Sequence, residues 1–367
     1  RMQSIGAKHV IDPRYDCAAL SFPESVCRVF PEAPQTLLRE HYRCHPKIIN
    51  FCNQRFYGGR LLIMTEDRGE PDVITAWRTV LGHHARGAFN PREIETIRRE
   101  VLPSLPCEQA EIGIISPYNE QVNALHRELG EGIDVATVHK FQGREKEAII
   151  LSTVDDQITA FTDDPNLLNV AISRAKRQFT LVTSSNEQPD SRDIADLLAY
   201  IDYNGGKITE STIHSVFDML YEPYAEARRE FLKRHRRISE FDSENLIYAL
   251  LEQVLEAEPA FRYLGVLCHQ PLRQLIRDWT LLNDEERRYA SNGATHLDFL
   301  IYNRVSKRPV LAIETDGYQF HKQGTRQSER DRMKDRILDR YALPLLRLST
   351  TGTDEEAKIK DQLSKIV

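Results

Sequence analysis

Three carboxylates lie at the ends of two apolar segments in the last third of the chain. Asp298 belongs to the segment HLDFLIY, and Glu314 and Asp316 belong to the segment VLAIETD. Because side chains alternate along a strand, Glu314 and Asp316 share one of its faces. Acids gathered beside apolar strands repel each other unless a cation lies among them. The residues therefore predict a site for Mg²⁺ or Mn²⁺, where bound metal would activate water and stabilise an attacked phosphate.

These acids, together with an early helical glutamate and a nearby histidine, resemble the PD-(D/E)XK nuclease superfamily. The similarity is greatest to its very-short-patch-repair-like branch and covers about residues 235 to 350. It implies that Glu244, Asp298 and Glu314 hold the metal. It also implies that Asp316 and His321 belong to the catalytic site.

The third element of the superfamily pattern is (D/E)-x-K, and Asp316 stands here where lysine is usual. In some branches the lysine lies on a helix, so Lys334 and Lys322 are the two candidates to replace it. If neither does, the domain grips DNA or a partner without cutting. Asp316-Gly317 could also be a plain strand-ending turn, and Glu244 a solvated helical residue.

The elements expected around this cluster form a small α/β unit with two helices and three strands. They are Ser243–Ala257, His296–Tyr302, Val310–Asp316, Ser328–Tyr341 and Leu345–Leu348.

Three blocks of the first half of the chain carry a second resemblance. They are LLREHYRCHPKIINFCNQRFYGGRL from Leu37, VATVHKFQGREKEAIILSTV from Val135 and LLNVAISRAKRQFTLVTS from Leu167. In this order they resemble motifs IV, V and VI of superfamily 1 helicases of the 1B, surveillance and replication type. The resemblance implies the second RecA-like motor domain of an ATP-driven helicase.

The helicase resemblance assigns a nucleotide-binding role to five residues. Arg174 corresponds to the arginine that reaches the γ-phosphate when two motor domains close, and Arg43 assists it. Tyr42 packs near the base, and Glu145 bonds the ribose. Gly143 lets the backbone approach the ligand closely.

Other residues are candidates for nucleic-acid contact. Ser116, Thr137 and His139 lie on loops that touch the nucleic-acid backbone in the resembled family. A basic run, ARREFLKRHRR, adds Arg228 and Arg236 as phosphate contacts. A run of charges is otherwise a solvated surface, so both interpretations stay open.

Alternating apolar runs and helical patterns in the first half predict a parallel α/β sheet. The strands expected are Ile112–Ser116, Val135–Thr137, Ala148–Thr153 and Phe179–Thr183, and the helices are Pro91–Leu102 and Asn119–Leu129.

One motif that ATP hydrolysis requires is absent from the sequence. No GxxxxGK[ST] occurs, and Gly205-Gly206-Lys207 is followed by Ile208. Without the loop that cradles the phosphates, no ATPase activity is expected from this chain alone. We expect the first motor domain upstream of Arg1 or on another chain.

The composition is that of a globular protein. The chain has 367 residues, a net charge of -6 and a hydrophobic fraction of 41%. Six cysteines lack any CxxC spacing and predict reduced thiols. No apolar run is long enough for a membrane helix, and a cytoplasmic location is expected.

The sequence thus predicts a RecA-like parallel-sheet motor domain followed by a smaller restriction-endonuclease-like α/β domain. The expected divisions are 1–34 (tail of the preceding motor region), 35–190 (motor domain), 191–235 (helical and basic linker) and 236–367 (nuclease domain). The expected function is a helicase–nuclease acting on DNA, in repair or defence against foreign DNA. The alternative is a catalytically dead nuclease fold that serves as a binding module.

Overall fold

The structure, a computed structural model, describes residues 12–16, 19–36, 38–317 and 326–366, without the side chains of 326–328. Twelve strands are described within these ranges: β1 (Glu40–His41), β2 (Leu62–Ile63), β3 (Ile74–Thr79), β4 (Ile112–Ser116), β5 (Asp134–Thr137), β6 (Lys146–Ser152), β7 (Ala175–Ser184), β8 (Ile208–Glu210), β9 (Leu264–Pro271), β10 (His296–Asn303), β11 (Pro309–Asp316) and β12 (Leu345–Ser349). The helices include α1 (Phe22–Val29), α2 (Pro46–Phe56), α3 (Pro91–Thr96), α4 (Asn119–Leu129), α5 (Val138–Phe141), α6 (Pro165–Ile172), α7 (Asp193–Tyr203), α8 (Ala225–Lys233), α9 (Asp242–Ala257), α10 (Asp284–Ser291), α11 (Arg326–Arg340) and α12 (Glu355–Ile366). None of the described helices is long and apolar enough to cross a membrane.

The first unit is built on a six-stranded parallel sheet with the order β5-β4-β6-β7-β3-β8. Helices cover both faces, so its central strands are apolar throughout. In β6, Ile149 and Leu151 belong to one core, and Ala148 and Ile150 belong to the other. The predicted parallel-sheet motor fold is confirmed by this topology.

Local sequence explains how α3 begins. The Asn90 side chain caps the helix by accepting hydrogen bonds from the backbone of Arg92 and Glu93, and Pro91 occupies the first turn. The helix continues through a π-helical stretch, Ile97–Val101, and a final turn. The result is one long helical segment, as predicted, with a π-bulge inside it.

The second unit has a four-stranded sheet with the order β12-β11-β10-β9. Strands β11 and β12 run parallel, whereas β10 is antiparallel to both of its neighbours. Helices α9 and α12 pack on one face through one core, and α11 packs on the other face through a second core. A further α/β unit after the motor sheet is therefore present, as predicted.

The segment predicted as a linker, 191–235, differs from that expectation. Ile194, Leu197 and Ile201 of α7 are buried in the motor core, and β8 pairs with β3 as an edge strand. The first part of the predicted linker thus completes the motor domain. The sequence suggested a linker because polar residues follow β7 before the apolar stripe of α7 begins.

The chain between the two units is fixed to both of them. Arg92 and Asp218 form a buried bidentate ion pair, with distances of 2.9 and 2.8 Å. Next to Asp218, Phe217 is fully buried in the core of the second unit. The backbone N–H of Val216 donates to Glu355 at the start of α12. Motor and second unit are thereby joined by packed and hydrogen-bonded contacts.

We expect Asp218→Ala to lower the free energy of unfolding by about 3 to 5 kcal/mol, because Arg92 would remain buried without its partner. Urea denaturation followed by tryptophan fluorescence measures this. The exposed pair Arg98–Glu95 provides the control, and Glu95→Ala should cost at most about 1 kcal/mol. Equal effects of the two substitutions would contradict the structural importance of the buried pair.

Candidate functional sites

Antiparallel pairing brings together two of the predicted metal ligands. The register pairs Phe299 with Ile313 and Leu300 with Ala312, so its continuation puts Asp298 opposite Glu314. The backbone N–H of Thr315 donates to Asp298 Oδ2 over 2.8 Å. Residues opposite one another in a sheet project from the same face. The two carboxylates therefore lie side by side.

A lysine from the covering helix joins this pair. Lys334 Nζ lies 2.6 Å from Glu314 Oε2 and donates to the backbone carbonyl of His296 over 2.9 Å. Glu314 and Lys334 are only 5% and 8% exposed. Of the two candidate lysines, Lys334 thus lies at the cluster, whereas Lys322 is outside the described residues. His321 is also outside them.

The cluster carries more negative charge than the lysine balances. Burial raises the pKa of Glu314 to about 7, although Lys334 opposes this shift. Burial also raises the pKa of Asp298, against the hydrogen bond from Thr315. Glu314 Oε1 is buried and has no hydrogen-bond partner among the described residues. An unpartnered carboxylate oxygen beside a second acid suits a divalent cation.

The other two predicted acids are engaged elsewhere. Asp316 Oδ1 lies 3.1 Å from Arg347 Nη1, so a structural ion pair occupies it. Glu244 Oε2 lies 2.8 Å from His269 Nε2. The trio Glu244, Asp298 and Glu314 does not form a group whose ligand atoms all lie within 4.8 Å of one another in the described structure. Glu244 shares the cavity with Asp298 and Glu314, but the three acids do not form a compact ligand set in this structure.

The cluster opens into a cavity of about 440 Å³. Its lining is mixed in charge and includes Glu244, His296, Asp298, Glu314, Arg330 and Lys334. Cations and acids at one opening can hold a phosphate and polarise a water at the same time.

His269 was not among the predicted residues. It lies on β9, a strand that the sequence analysis did not identify, because only Leu264 and Gly265 of that strand are buried. The available signal was a histidine near the end of a short apolar run, LGVLCHQ.

The predicted nucleotide residues of the motor unit converge on a second cavity of about 600 Å³. Its lining includes Tyr42, Arg43, Glu145 and Arg174. The three cations around it are Arg43, Arg174 and Lys176, and Lys176 was not predicted. It is the lysine of the SRAK step, so the block already contained it. A cavity with this charge suits a polyphosphate.

Arg174 is held at the end of α6 by oxygen atoms. Its guanidinium donates to the Val170 carbonyl and to Ser173 Oγ, each over 3.2 Å, and to the Arg144 carbonyl over 3.4 Å. Burial and the neighbouring Arg43 lower the pKa of Arg174. The side chain is thus preorganised at the cavity wall.

The remaining predicted nucleotide residues differ in availability. Glu145 lies 2.6 Å from Arg43 Nε and 3.2 Å from Lys176 Nζ, so it is not free for a ribose in this structure. Tyr42 is 65% exposed and presents an open ring. Gly143 has φ +86°, and a Cβ there would meet no atom within 4 Å. Its backbone conformation, rather than close packing, explains the glycine.

The predicted nucleic-acid residues of the motor lie at one edge of the sheet. Ser116 and Thr137 end the neighbouring strands β4 and β5. The Ser116 side chain is fully buried, so it offers no surface contact, and Thr137 is 7% exposed. His139, in the next turn, is exposed.

The basic run forms a groove of about 360 Å³ beside the start of α9. Arg228 is occupied by intramolecular contacts, since it donates to the carbonyls of Met219 and Leu220 and lies 3.3 Å from Asp242. Arg236 is exposed and forms no hydrogen bond or salt bridge with any described residue. Arg236 is therefore the better phosphate contact of the two.

Among the described residues, one group of three potential ligands does lie within metal-binding distance: His45, Asp67 and Glu70. Lys47 Nζ lies 3.6 Å from Asp67, and both acids are exposed. This group is separate from both predicted sites.

Comparison with known protein families divides the chain in the same way. Residues 21–186 match the family described as "AAA domain", and residues 241–366 match "Protein of unknown function (DUF2726)".

The similar curated proteins are helicases. "Uncharacterized ATP-dependent helicase C05C10.2" of Caenorhabditis elegans is 32% identical over 41% of this chain and 11% of its own length. "Uncharacterized ATP-dependent helicase MJ0104" of Methanocaldococcus jannaschii is 31% identical over 44% of this chain and 28% of its own length. "DNA polymerase alpha-associated DNA helicase A" of Saccharomyces cerevisiae is 29% identical, over 43% and 29%. The solved structure of PRRSV helicase aligns with 56% of this chain and 40% of its own at 15% identity, with a TM-score of 0.25, too low to define a shared fold.

The first half of the chain is therefore a superfamily 1 helicase part, and that part of the prediction is confirmed. The chain spans less than a third of the length of the curated relatives described above. The nuclease assignment stays a prediction, because the description of the family matched there states no function.

We expect the stability of the protein to depend on pH through Glu314 when divalent metal is removed with EDTA. Its pKa of about 7 in the folded state exceeds its ordinary value of 4.5, so the folded protein keeps a proton that the unfolded chain releases. The thermal unfolding midpoint should fall as the pH rises from about 4.5 to about 7, and Glu314→Gln should flatten that fall. The exposed Glu329 on helix α11 gives the control, Glu329→Gln, which should keep the wild-type profile. An unchanged profile in Glu314→Gln would refute the prediction.

Proposed function

We propose that this chain is part of an ATP-dependent helicase–nuclease that acts on DNA, and that its second unit cuts phosphodiester bonds. The observation that carries the proposal is the buried cluster of Asp298, Glu314 and Lys334, in which Glu314 Oε1 has no partner in the described structure. Such a cluster is costly to bury unless a ligand completes it.

Mg²⁺ or Mn²⁺ at this cluster would supply an activated water and neutralise charge on the attacked phosphate. Asp298 and Glu314 are the residues that would hold it. The hydrogen bond from Thr315 fixes Asp298, and Lys334 fixes one oxygen of Glu314. These contacts orient the free carboxylate oxygens before any ligand binds.

Lys334 has a second task in this proposal. An ammonium group has three N–H donors, and two of them are used by Glu314 and the His296 carbonyl. The third can donate to the attacking water or to a phosphate oxygen. Lys334 thus takes the place of the lysine that the strand lacks at Asp316.

DNA is the favoured substrate because the predicted domain resembles DNA-cutting enzymes. Arg236 and the basic groove beside α9 would hold its backbone near the cluster. A role in DNA repair or in defence against foreign DNA follows from combining a motor with a nuclease.

The motor unit would supply half of an ATPase site. Arg43, Arg174 and Lys176 would face the phosphates of an ATP bound to a first motor domain, which lies elsewhere in the same protein or on another chain. By analogy with the 1B helicases, movement would be 5′ to 3′.

We expect Mg²⁺- or Mn²⁺-dependent cleavage of labelled single- or double-stranded DNA by the wild-type chain. Asp298→Ala and Glu314→Ala should abolish it, because each removes a metal ligand. Lys334→Met should lower kcat at least about 100-fold, through the loss of a positioned cation.

The matched control for this experiment is Glu285→Ala, which removes an exposed acid on α10 and should leave cutting unchanged. If the wild-type protein binds DNA but cuts no substrate with either metal, the binding-module alternative replaces this proposal.

For the motor, Arg174→Ala should lower the kcat of DNA-stimulated ATP hydrolysis by about 10³-fold or more, since an arginine finger contributes that much. The assay uses the full-length protein, or this chain supplemented with the first motor domain. Arg177→Ala is the control, because Arg177 is 85% exposed and lies on β7, the strand that begins directly after Arg174. If both variants hydrolyse ATP at the wild-type rate, Arg174 has no such role.

A further inference from the structure

His269 and Glu244 form a pair at the wall of the candidate nuclease cavity. Their side chains meet at 2.8 Å between Nε2 and Oε2. Glu244 lines the cavity together with Asp298 and Glu314, whereas His269 is not among the lining residues. The negative charge of Glu244 also contributes to raising the pKa of Asp298, so the two acids are close. His269 therefore contacts the cavity wall through the side chain of Glu244.

The backbone at His269 is unusual. Its φ is +49°, in the left-handed region that few non-glycine residues adopt, although histidine does so more often than most. The pairing of β9 with β10 runs from Leu297–Gln270 to Phe299–Cys268 and is interrupted between them, where His269 lies opposite Asp298. Irregular or strained backbone is often found beside functional sites, where it changes the direction of a side chain.

The ring of His269 also contacts a second residue of the cavity wall. It packs edge-on against the ring of His296, with centroids 5.5 Å apart, and His296 lines the same cavity. The His269 side chain is 38% exposed, and that of Glu244 is 17% exposed. Hence the ring is not buried to fill a core, and burial alone does not explain the strained backbone.

We propose that His269 is a positioning residue of the nuclease centre: it holds the Glu244 carboxylate so that its second oxygen faces the metal held by Asp298 and Glu314. This inference rests on the proposed function. A carboxylate fixed by an imidazole loses little freedom when it joins a ligand shell. In this structure Glu244, Asp298 and Glu314 do not all lie within 4.8 Å of one another, so a small shift of the His269–Glu244 pair would be needed to complete the ligand shell.

The test is Mn²⁺ binding to the whole chain, measured by calorimetry, with nuclease activity measured alongside. His269→Gly removes the imidazole while suiting the positive φ, so the variant should fold at least as stably as the wild type. We expect its Mn²⁺ dissociation constant to rise about 10-fold or more. Glu244→Ala should cause a similar rise, and the double variant should add little, because the two residues act as one unit.

His269→Gln, whose amide nitrogen can reach the position of Nε2, should restore most of the affinity. Leu267→Ala, an exposed position on the same strand, is the control and should bind Mn²⁺ like the wild type. Wild-type affinity in His269→Gly, or additive losses in the double variant, would overturn the positioning role while leaving the nuclease proposal standing. A wild-type chain that neither binds Mn²⁺ nor cuts DNA would overturn both proposals.

Discussion

Two carboxylates placed opposite each other on paired strands impose the main constraint on the second unit. Asp298 and Glu314 cannot both stay charged at this position without a cation, since both are largely removed from water. Helix α11 supplies the first cation, Lys334, and packs Met333 and Ile337 into the core on the same face of the sheet. The helix that covers the sheet therefore also determines where the lysine lies.

In the proposed nuclease site, Lys334 on α11 takes the place of a lysine on strand β11. A lysine at position 316 would extend from the strand that carries Glu314. Here Asp316 pairs with Arg347 of β12 instead, and Arg347 also contacts Asp335 of α11. The ion pairs at Asp316 and Asp335 tie the helix to the sheet close to Lys334. Through Arg347, Asp316 thus links the strand to the helix that carries Lys334.

Much of both folds could be predicted from local pattern, because buried strands are apolar on both faces. β4 and α4 have the predicted bounds. The edge strand β9 was missed because most of its residues are partly exposed, and His269 was missed with it. Tertiary packing decides which side chains are buried and which partners they bind. The sequence therefore did not reveal that Arg228 is held by backbone carbonyls and Asp242, or that Ser116 is buried.

The two candidate surfaces of the motor unit lie at opposite ends of the strands of its parallel sheet. Glu145 and Arg174 directly precede β6 and β7, whereas Thr137 is the last residue of β5. Parallel strands put these positions at opposite edges of one sheet.

The joint to the second unit lies near the carboxyl edge. Asn90, at the start of α3, donates to the carbonyl of Val154 just beyond β6, and Glu93 accepts from the Val154 N–H. In the same turn of α3, Arg92 holds Asp218 of the joint. Nucleic acid bound along the carboxyl edge would therefore run on the side of the motor where the second unit is attached. In the proposed function, nucleotide would bind at the opposite end of the strands, and its hydrolysis would act on the joint through the sheet and α3.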